Sequence, residues 1–199
     1  MTYIAALSSW TYDSPEYEAL LAVGWLDAEH PFTQGPVDDG ILDKMAVLAT
    51  RPWKPGHYMG YHTCELCPPP SVRTAGTSVT IPGLRLTLGA DNLFIPHRRR
   101  VYVAPSLILH YMISHRYQPP QVFLEAARRC PPMWSAKYEI WLRAGAPGLF
   151  DNPEHWPPYN GPPDPRPGLH ESADRAPSRW ARLLRSCQRQ YYALFLPPA

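Results

Sequence analysis

The sequence predicts a small α+β domain in which a short antiparallel sheet is flanked by helices. Between residues 78 and 103, apolar residues alternate with polar ones in short runs separated by turn formers, as is typical of strands. At 37–50, and again from Pro105 onward, apolar residues recur at helical spacing. The chain has 199 residues, 45% of them hydrophobic. A chain of this length can form one hydrophobic core but is short for two, so we expect one domain with additional segments.

The predicted strands lie in the first half of the chain. Ser78 to Leu88 should form two alternating runs with Pro82 and Gly83 as a turn or bulge between them. Leu93 to Ile95 and Val101 to Val103 should then complete a single small antiparallel sheet. The pattern of apolar residues and turn formers in residues 1–36 predicts short strands and turns.

Each predicted helix has a recognisable boundary. The first covers Val37 to Thr50 and is stopped by Pro52. Pro105 suits the first position of the second helix, because its missing N–H would have no partner there anyway. Pro119 and Pro120 should start the third helix, and Ser135 is placed to cap a short fourth one.

The C-terminal part differs in composition from the domain predicted for residues 1–146. Many of the 26 prolines fall in 147–177, which predicts an irregular Pro-rich loop. In 178–196 the apolar residues form one helical stripe with arginines on the other faces. This pattern predicts an amphipathic helix that packs on the domain or on a partner.

Charge and cysteine content restrict the class of protein. The formal net charge of +2 is too small to indicate nucleic acid or an anionic membrane as a partner. The sequence has no apolar run of about 18 residues, and its first residues do not resemble a secretion signal. A cytoplasmic location is therefore expected, where four cysteines favour free thiols or metal ligands over disulfides.

Two residue pairs have the spacing of metal ligands. Cys64 and Cys67 form a C-x2-C pair, which lets two thiolates on one tight turn reach the same tetrahedral ion. His110 and His115 form an H-x4-H pair, within the spacing of structural zinc sites. These four residues are predicted to bind one Zn²⁺.

The predicted zinc site places two demands on the fold. Side chains five residues apart on a helix point about 140° away from each other, so the helix must loosen or end between His110 and His115. The 42 residues between Cys67 and His110 also exceed the roughly 12 to 15 of a compact finger. An enlarged treble-clef-like arrangement is therefore expected.

Four protein ligands would leave no position for an activated water, so the predicted zinc is structural and no catalytic residue is assigned. Three further histidines could replace a proposed ligand. His57 and His62 flank the cysteine pair, and His97 precedes three arginines.

Several ordered motifs resemble a family of uncharacterised bacterial proteins. They are Gly24-Trp25-Leu26 with His30-Pro31-Phe32, then Tyr61-His62-Thr63-Cys64-Glu65-Leu66-Cys67, then Tyr102 to Phe123 with its two histidines and Pro119-Pro120. The likeness covers roughly residues 20 to 127. It implies a bacterial cytosolic protein and supplies no substrate.

The favoured hypothesis is a zinc-stabilised adaptor or immunity-type protein whose partner is another protein. It rests on the closed metal site and on aromatic residues in loops, namely Trp134, Trp156 and Tyr159.

Two alternatives stay open. A metal-dependent hydrolase or nuclease would use Glu65 as general base, with His57, His62 or His97 near the ion. A nucleic-acid-binding protein would use Arg98 to Arg100 and the arginines of the last helix.

Overall fold

The computed structural model describes residues 3–10, 20–54, 60–67, 77–81, 84–133 and 135–150. Five strands and four α-helices follow one another in these ranges, and they confirm the α+β class. In chain order they are β1 (Leu20–Ala22), α1 (Asp39–Thr50), β2 (Thr77–Ile81), β3 (Leu84–Leu88), β4 (Asn92–His97), β5 (Arg100–Pro105), α2 (Ile108–Ser114), α3 (Gln121–Arg129) and α4 (Ala136–Gly145).

The strands form two sheets, and this differs from the single antiparallel sheet expected from the sequence. One sheet has the order β1-β5-β4, with β4 antiparallel and β1 parallel to β5. The other is the antiparallel hairpin β2–β3. The alternating pattern indicates strands but does not say which edges pair, because pairing depends on contacts between distant residues.

β5 is the central strand of the larger sheet. Five of its six residues are buried, and so are five of the six in β4. α4 covers these two strands. Its Tyr138 is almost fully buried and donates a hydrogen bond of 2.7 Å from its hydroxyl to the carbonyl oxygen of Phe94. The hydroxyl of Ser135 accepts from the backbone N–H of Tyr138, which confirms the predicted N-cap of α4.

One face of the hairpin β2–β3 is buried. Val79, Leu86 and Leu88 are buried, whereas the residues between them are exposed. A two-stranded sheet is marginally stable by itself, so this hairpin depends on what it packs against. β2 contacts α2 and β3 contacts α1.

The C-terminal predictions lie mostly outside the described residues. Only the first four residues of the predicted Pro-rich loop are described, and Pro147–Phe150 form a 3-10 helix rather than an irregular loop. The remainder of 147–177 and the whole predicted helix 178–196 stay predictions. No helix in the described ranges has both the length and the apolar character needed to cross a membrane.

A glycine after β3 lets the cysteine-bearing segment come close to the core. Gly89 has φ +104°, its N–H donates to the hydroxyl of Ser106 at 2.8 Å, and its carbonyl accepts from the N–H of His62 at 2.9 Å. A Cβ at this position would overlap the backbone carbonyl oxygen of His62. Any larger residue at position 89 therefore pushes the His62 segment away.

We expect Gly89→Ala to lower the free energy of unfolding by about 3 kcal/mol, because both the positive φ and the overlap with His62 become unfavourable. Gly60→Ala is the matched control. Gly60 also has a positive φ, +96°, but a Cβ there meets nothing within 4 Å. Gly60→Ala is expected to lower the free energy of unfolding by about 1 kcal/mol. Urea unfolding of both variants measures the difference, and equal losses would mean that the close approach to His62 is unimportant.

Candidate metal centre

The cysteine pair lies in a tight turn that is tied to the start of β2. Cys64 is buried, and its backbone N–H donates to the hydroxyl of Thr77 at 3.2 Å. The backbone N–H groups of Leu66 and Cys67 act to lower the pKa of the Cys64 thiol, against the larger effect of burial. The tight turn places the two sulfur atoms where they can face the same ligands.

The two histidines lie on either side of the end of α2. His110 is buried in the helix, while His115 is its C-cap residue, with φ −115° and ψ 6°. The carbonyl of Tyr111 accepts from the N–H groups of both His115 and Tyr117, and Arg116 between them has φ +55°. The helix thus ends between the histidines, as the sequence analysis expected. The left-handed backbone of Arg116 turns the chain at this point.

The four side chains converge on one point. The Nε2 of His115 lies 3.3 Å from the sulfur of Cys64, 3.3 Å from the sulfur of Cys67 and 3.2 Å from the Nε2 of His110. The sulfur of Cys67 is also 3.3 Å from the Nε2 of His110, and all four atoms lie within 4.8 Å of one another. A tetrahedral zinc ion holds neighbouring sulfur and nitrogen ligands about 3.3 to 3.8 Å apart. The group is therefore consistent with a zinc-finger-like site.

Burial has opposite consequences for the metal-binding capacity of the histidines and of Cys64. Burial raises the pKa of the Cys64 thiol to about 11, although the N–H groups of Leu66 and Cys67 oppose the rise. Burial lowers the pKa of His110 and of His115, and the charge of His115 lowers that of His110 further. The imidazoles are thus held neutral with free lone pairs. A bound cation would favour the thiolate of Cys64 and displace its proton.

Ser114 also takes part in this centre, and the sequence analysis missed it. Its hydroxyl lies 3.2 Å from the Nδ1 of His110, whose Nε2 faces the other three ligands. An N–H on Nδ1 that donates to this hydroxyl fixes the ring orientation and leaves the lone pair on Nε2 for a metal. The sequence could have indicated this contact, because His110 and Ser114 are four residues apart on one helix and such residues share a face.

Two of the three histidines that could have replaced a ligand, His62 and His97, lie outside this group. Among the residues that the structure describes, Cys64, Cys67, His110 and His115 form the one cluster of His, Cys, Asp or Glu suited to a metal, so His62 and His97 do not belong to it. His62 is exposed, and Glu65 between the cysteines is exposed as well. His57 lies outside the described residues. The roles of these residues in a hydrolase or nuclease remain predictions.

We expect Ser114→Ala to weaken zinc binding about tenfold, because the ring of His110 loses the partner that orients it. Competition with a chromophoric chelator measures this affinity. Ser78→Ala, at an exposed position in β2, is the control and should bind zinc as the unchanged protein does. Equal affinities for both variants would show that Ser114 does not orient the ligand.

Comparison with known proteins identifies a family for this chain but assigns it no activity. The family described as "Domain of unknown function (DUF7919)" matches residues 2–128, which include β1 to β5, α1, α2, most of α3 and all four candidate ligands. No curated protein and no solved structure matches the chain. Because the match covers more than half of the chain, the protein belongs to the DUF7919 family of domains of unknown function.

Proposed function

We propose that Cys64, Cys67, His110 and His115 bind one structural Zn²⁺, and that the domain held together by this ion acts as an adaptor that binds another protein. The observation that carries the proposal is the approach of the four ligand atoms to within 4.8 Å of one another.

The donor set supports zinc as the ion. Two sulfur and two imidazole ligands in a tetrahedron suit Zn²⁺, whereas Mg²⁺ and Ca²⁺ prefer oxygen ligands. The order of the ligands, with a cysteine turn before strands and histidines at a helix end, also matches structural zinc sites.

The arrangement of the ligands supports a structural role. Four protein ligands fill a tetrahedral ion, so a water molecule has no position at which to be activated. The ion would join the cysteine turn to the end of α2, and the turn is itself bonded to β2 through Thr77. Since the hairpin β2–β3 has little stability of its own, this connection would fix it to the core.

We expect the purified protein to contain about one zinc ion per chain, and a strong chelator to lower its melting temperature by roughly 10 °C. Cys67→Ala should lose the zinc after desalting, because three ligands hold the ion much less tightly. Cys130→Ala is the matched control. Cys130 is a buried free thiol outside the metal group, so its removal should leave the zinc content unchanged.

Metal analysis and thermal melting together test the proposal. An unchanged melting temperature after verified zinc removal would contradict the structural role. Equal zinc contents in the Cys67 and Cys130 variants would contradict the ligand assignment. Binding of Co²⁺ gives a further check, since tetrahedral cobalt with thiolate ligands absorbs strongly in the visible range.

The role as an adaptor is supported by apolar side chains on the segments that carry the ligands. Tyr61, three residues before Cys64, is 52% exposed, and Ile113, two residues before His115, is 39% exposed. Tyrosine and aliphatic side chains of this kind occur at protein interfaces. A zinc ion that fixes both segments would also hold these two side chains ready for a partner, which lowers the entropy cost of binding.

We expect the protein to capture a defined partner from an extract of the organism that encodes it, and Ile113→Ser to reduce the recovery at least about fivefold. Ile140→Ser is the matched control, because Ile140 is an exposed isoleucine on α4, away from the ligand-bearing segments. Quantitative mass spectrometry measures the recovery. Equal recovery with both variants would contradict an interface at the metal centre, and recovery of the chain alone would contradict the adaptor role.

A further inference from the structure

A second candidate site lies at the tip of the β4–β5 hairpin. A cleft of about 380 Å³, open to solvent, is lined by His97, Arg98, Arg129, Trp141 and Ala144. His97 pairs with Arg100 at this tip, whereas Asn92 pairs with Pro105 at the other end of the two strands, next to the start of α2. The cleft and the candidate metal centre are thus associated with opposite ends of the hairpin.

The charge around the cleft is positive. Arg98 has no carboxylate partner within the described part of the chain. Arg129 forms an ion pair of 3.1 Å with Glu125, which neutralises one of the two guanidinium groups in part. Arg99 and Arg100 follow directly and are exposed. Two arginines that line one cleft are suited to phosphate, because the planar guanidinium group binds two of its oxygen atoms at once.

His97 contributes a polar group that needs a partner. Its Nδ1 is buried and has no hydrogen-bond partner among the described residues. Burial lowers the pKa of His97, the charges of Arg98 and Arg129 lower it further, and Glu125 opposes them. The ring is therefore held neutral beside two cations. A buried nitrogen without a partner is unfavourable, so this ring is a sensitive reporter of changes at the cleft.

Trp141 provides an apolar wall. The side chain is half-buried in α4, and the ammonium group of Lys137 lies 5.2 Å from the ring centroid. A nucleobase would stack on the face of this ring that Lys137 does not cover, and it would bring its negative phosphate group to the same cleft.

We propose that this cleft binds a nucleoside monophosphate, with the phosphate between Arg98 and Arg129 and the base against Trp141. The volume suits a ligand of this size, since small-molecule sites begin near about 300 Å³. The proposal is independent of the zinc site, because none of the lining residues is a metal ligand.

Arg98 allows a variant that removes the charge without harming the fold. Its φ of +58° lies in the left-handed region, where asparagine is tolerated better than arginine. Arg98→Asn should therefore leave the melting temperature unchanged or slightly raised. A loss of binding in this variant reports on the guanidinium group and not on unfolding.

The test is isothermal titration calorimetry of the zinc-loaded full chain with adenosine 5′-monophosphate, inorganic phosphate, adenosine and a short single-stranded oligonucleotide. The monophosphate should bind at least roughly tenfold more tightly than either phosphate or adenosine, because it uses both the arginines and the tryptophan. Ring signals of His97 in nuclear magnetic resonance spectra should shift when the monophosphate is added.

The variants distinguish a defined cleft from general positive charge. Arg98→Asn and Arg129→Gln should each weaken monophosphate binding about tenfold. Trp141→Leu should reduce its affinity to that of inorganic phosphate. Arg143→Gln is the matched control, because Arg143 is an exposed arginine on α4 that is paired with Glu139 and does not line the cleft. It should bind as the unchanged protein does.

Three outcomes would overturn the proposal. One is the absence of monophosphate binding at millimolar concentration, and another is an equal loss in Arg143→Gln and Arg98→Asn. The third is an oligonucleotide that binds far more tightly than the monophosphate and is weakened equally by every arginine variant. That result would indicate an extended nucleic-acid surface instead of a nucleotide cleft.

Discussion

The approach of two sulfur atoms to two imidazole rings brings the cysteine turn against the end of α2. The cysteine turn and the hairpin β2–β3 bury few apolar side chains of their own, so they need a connection to the core. A metal ion among the four ligand atoms would provide it at the end of α2, and the hydrogen bonds of Gly89 with His62 and Ser106 provide a second, metal-independent one. The proposed zinc ion would thus stabilise a part of the chain that packing alone holds weakly.

The end of α2 shows how backbone geometry creates the metal group. In a continuous helix the rings of His110 and His115 would point apart. Because His115 is the C-cap residue, with a non-helical φ of −115°, it leaves the helix, and its Nε2 lies 3.2 Å from the Nε2 of His110. The left-handed Arg116 then turns the following chain away. Ser114 then orients the buried histidine from the last helical turn. The backbone geometry at the end of α2 is therefore as necessary for the metal group as the side chains themselves.

The two ends of the β4–β5 hairpin differ in chemistry. One end leads into α2 and the metal group, which consists of neutral imidazoles and two partly to fully buried thiols. The other end carries Arg98 to Arg100 beside Trp141 and is open and positive. This separation favours a division of roles, in which the metal group maintains the fold and the hairpin tip is available for a ligand.

The sequence by itself determined the α+β class, the capped start of α4 and the four candidate ligands, because these depend on periodicity, capping residues and short spacings. The start predicted for α2 was wrong, since Pro105 is the last residue of β5 and α2 begins at Ile108. Tertiary structure alone decided that the strands form two sheets and that β1 lies parallel to β5. It also brought His97, Arg129 and Trp141 together in one cleft and made Gly89 a point of close approach. These features join residues far apart in the chain. Their pairing is governed by packing of the whole core, which local patterns do not encode.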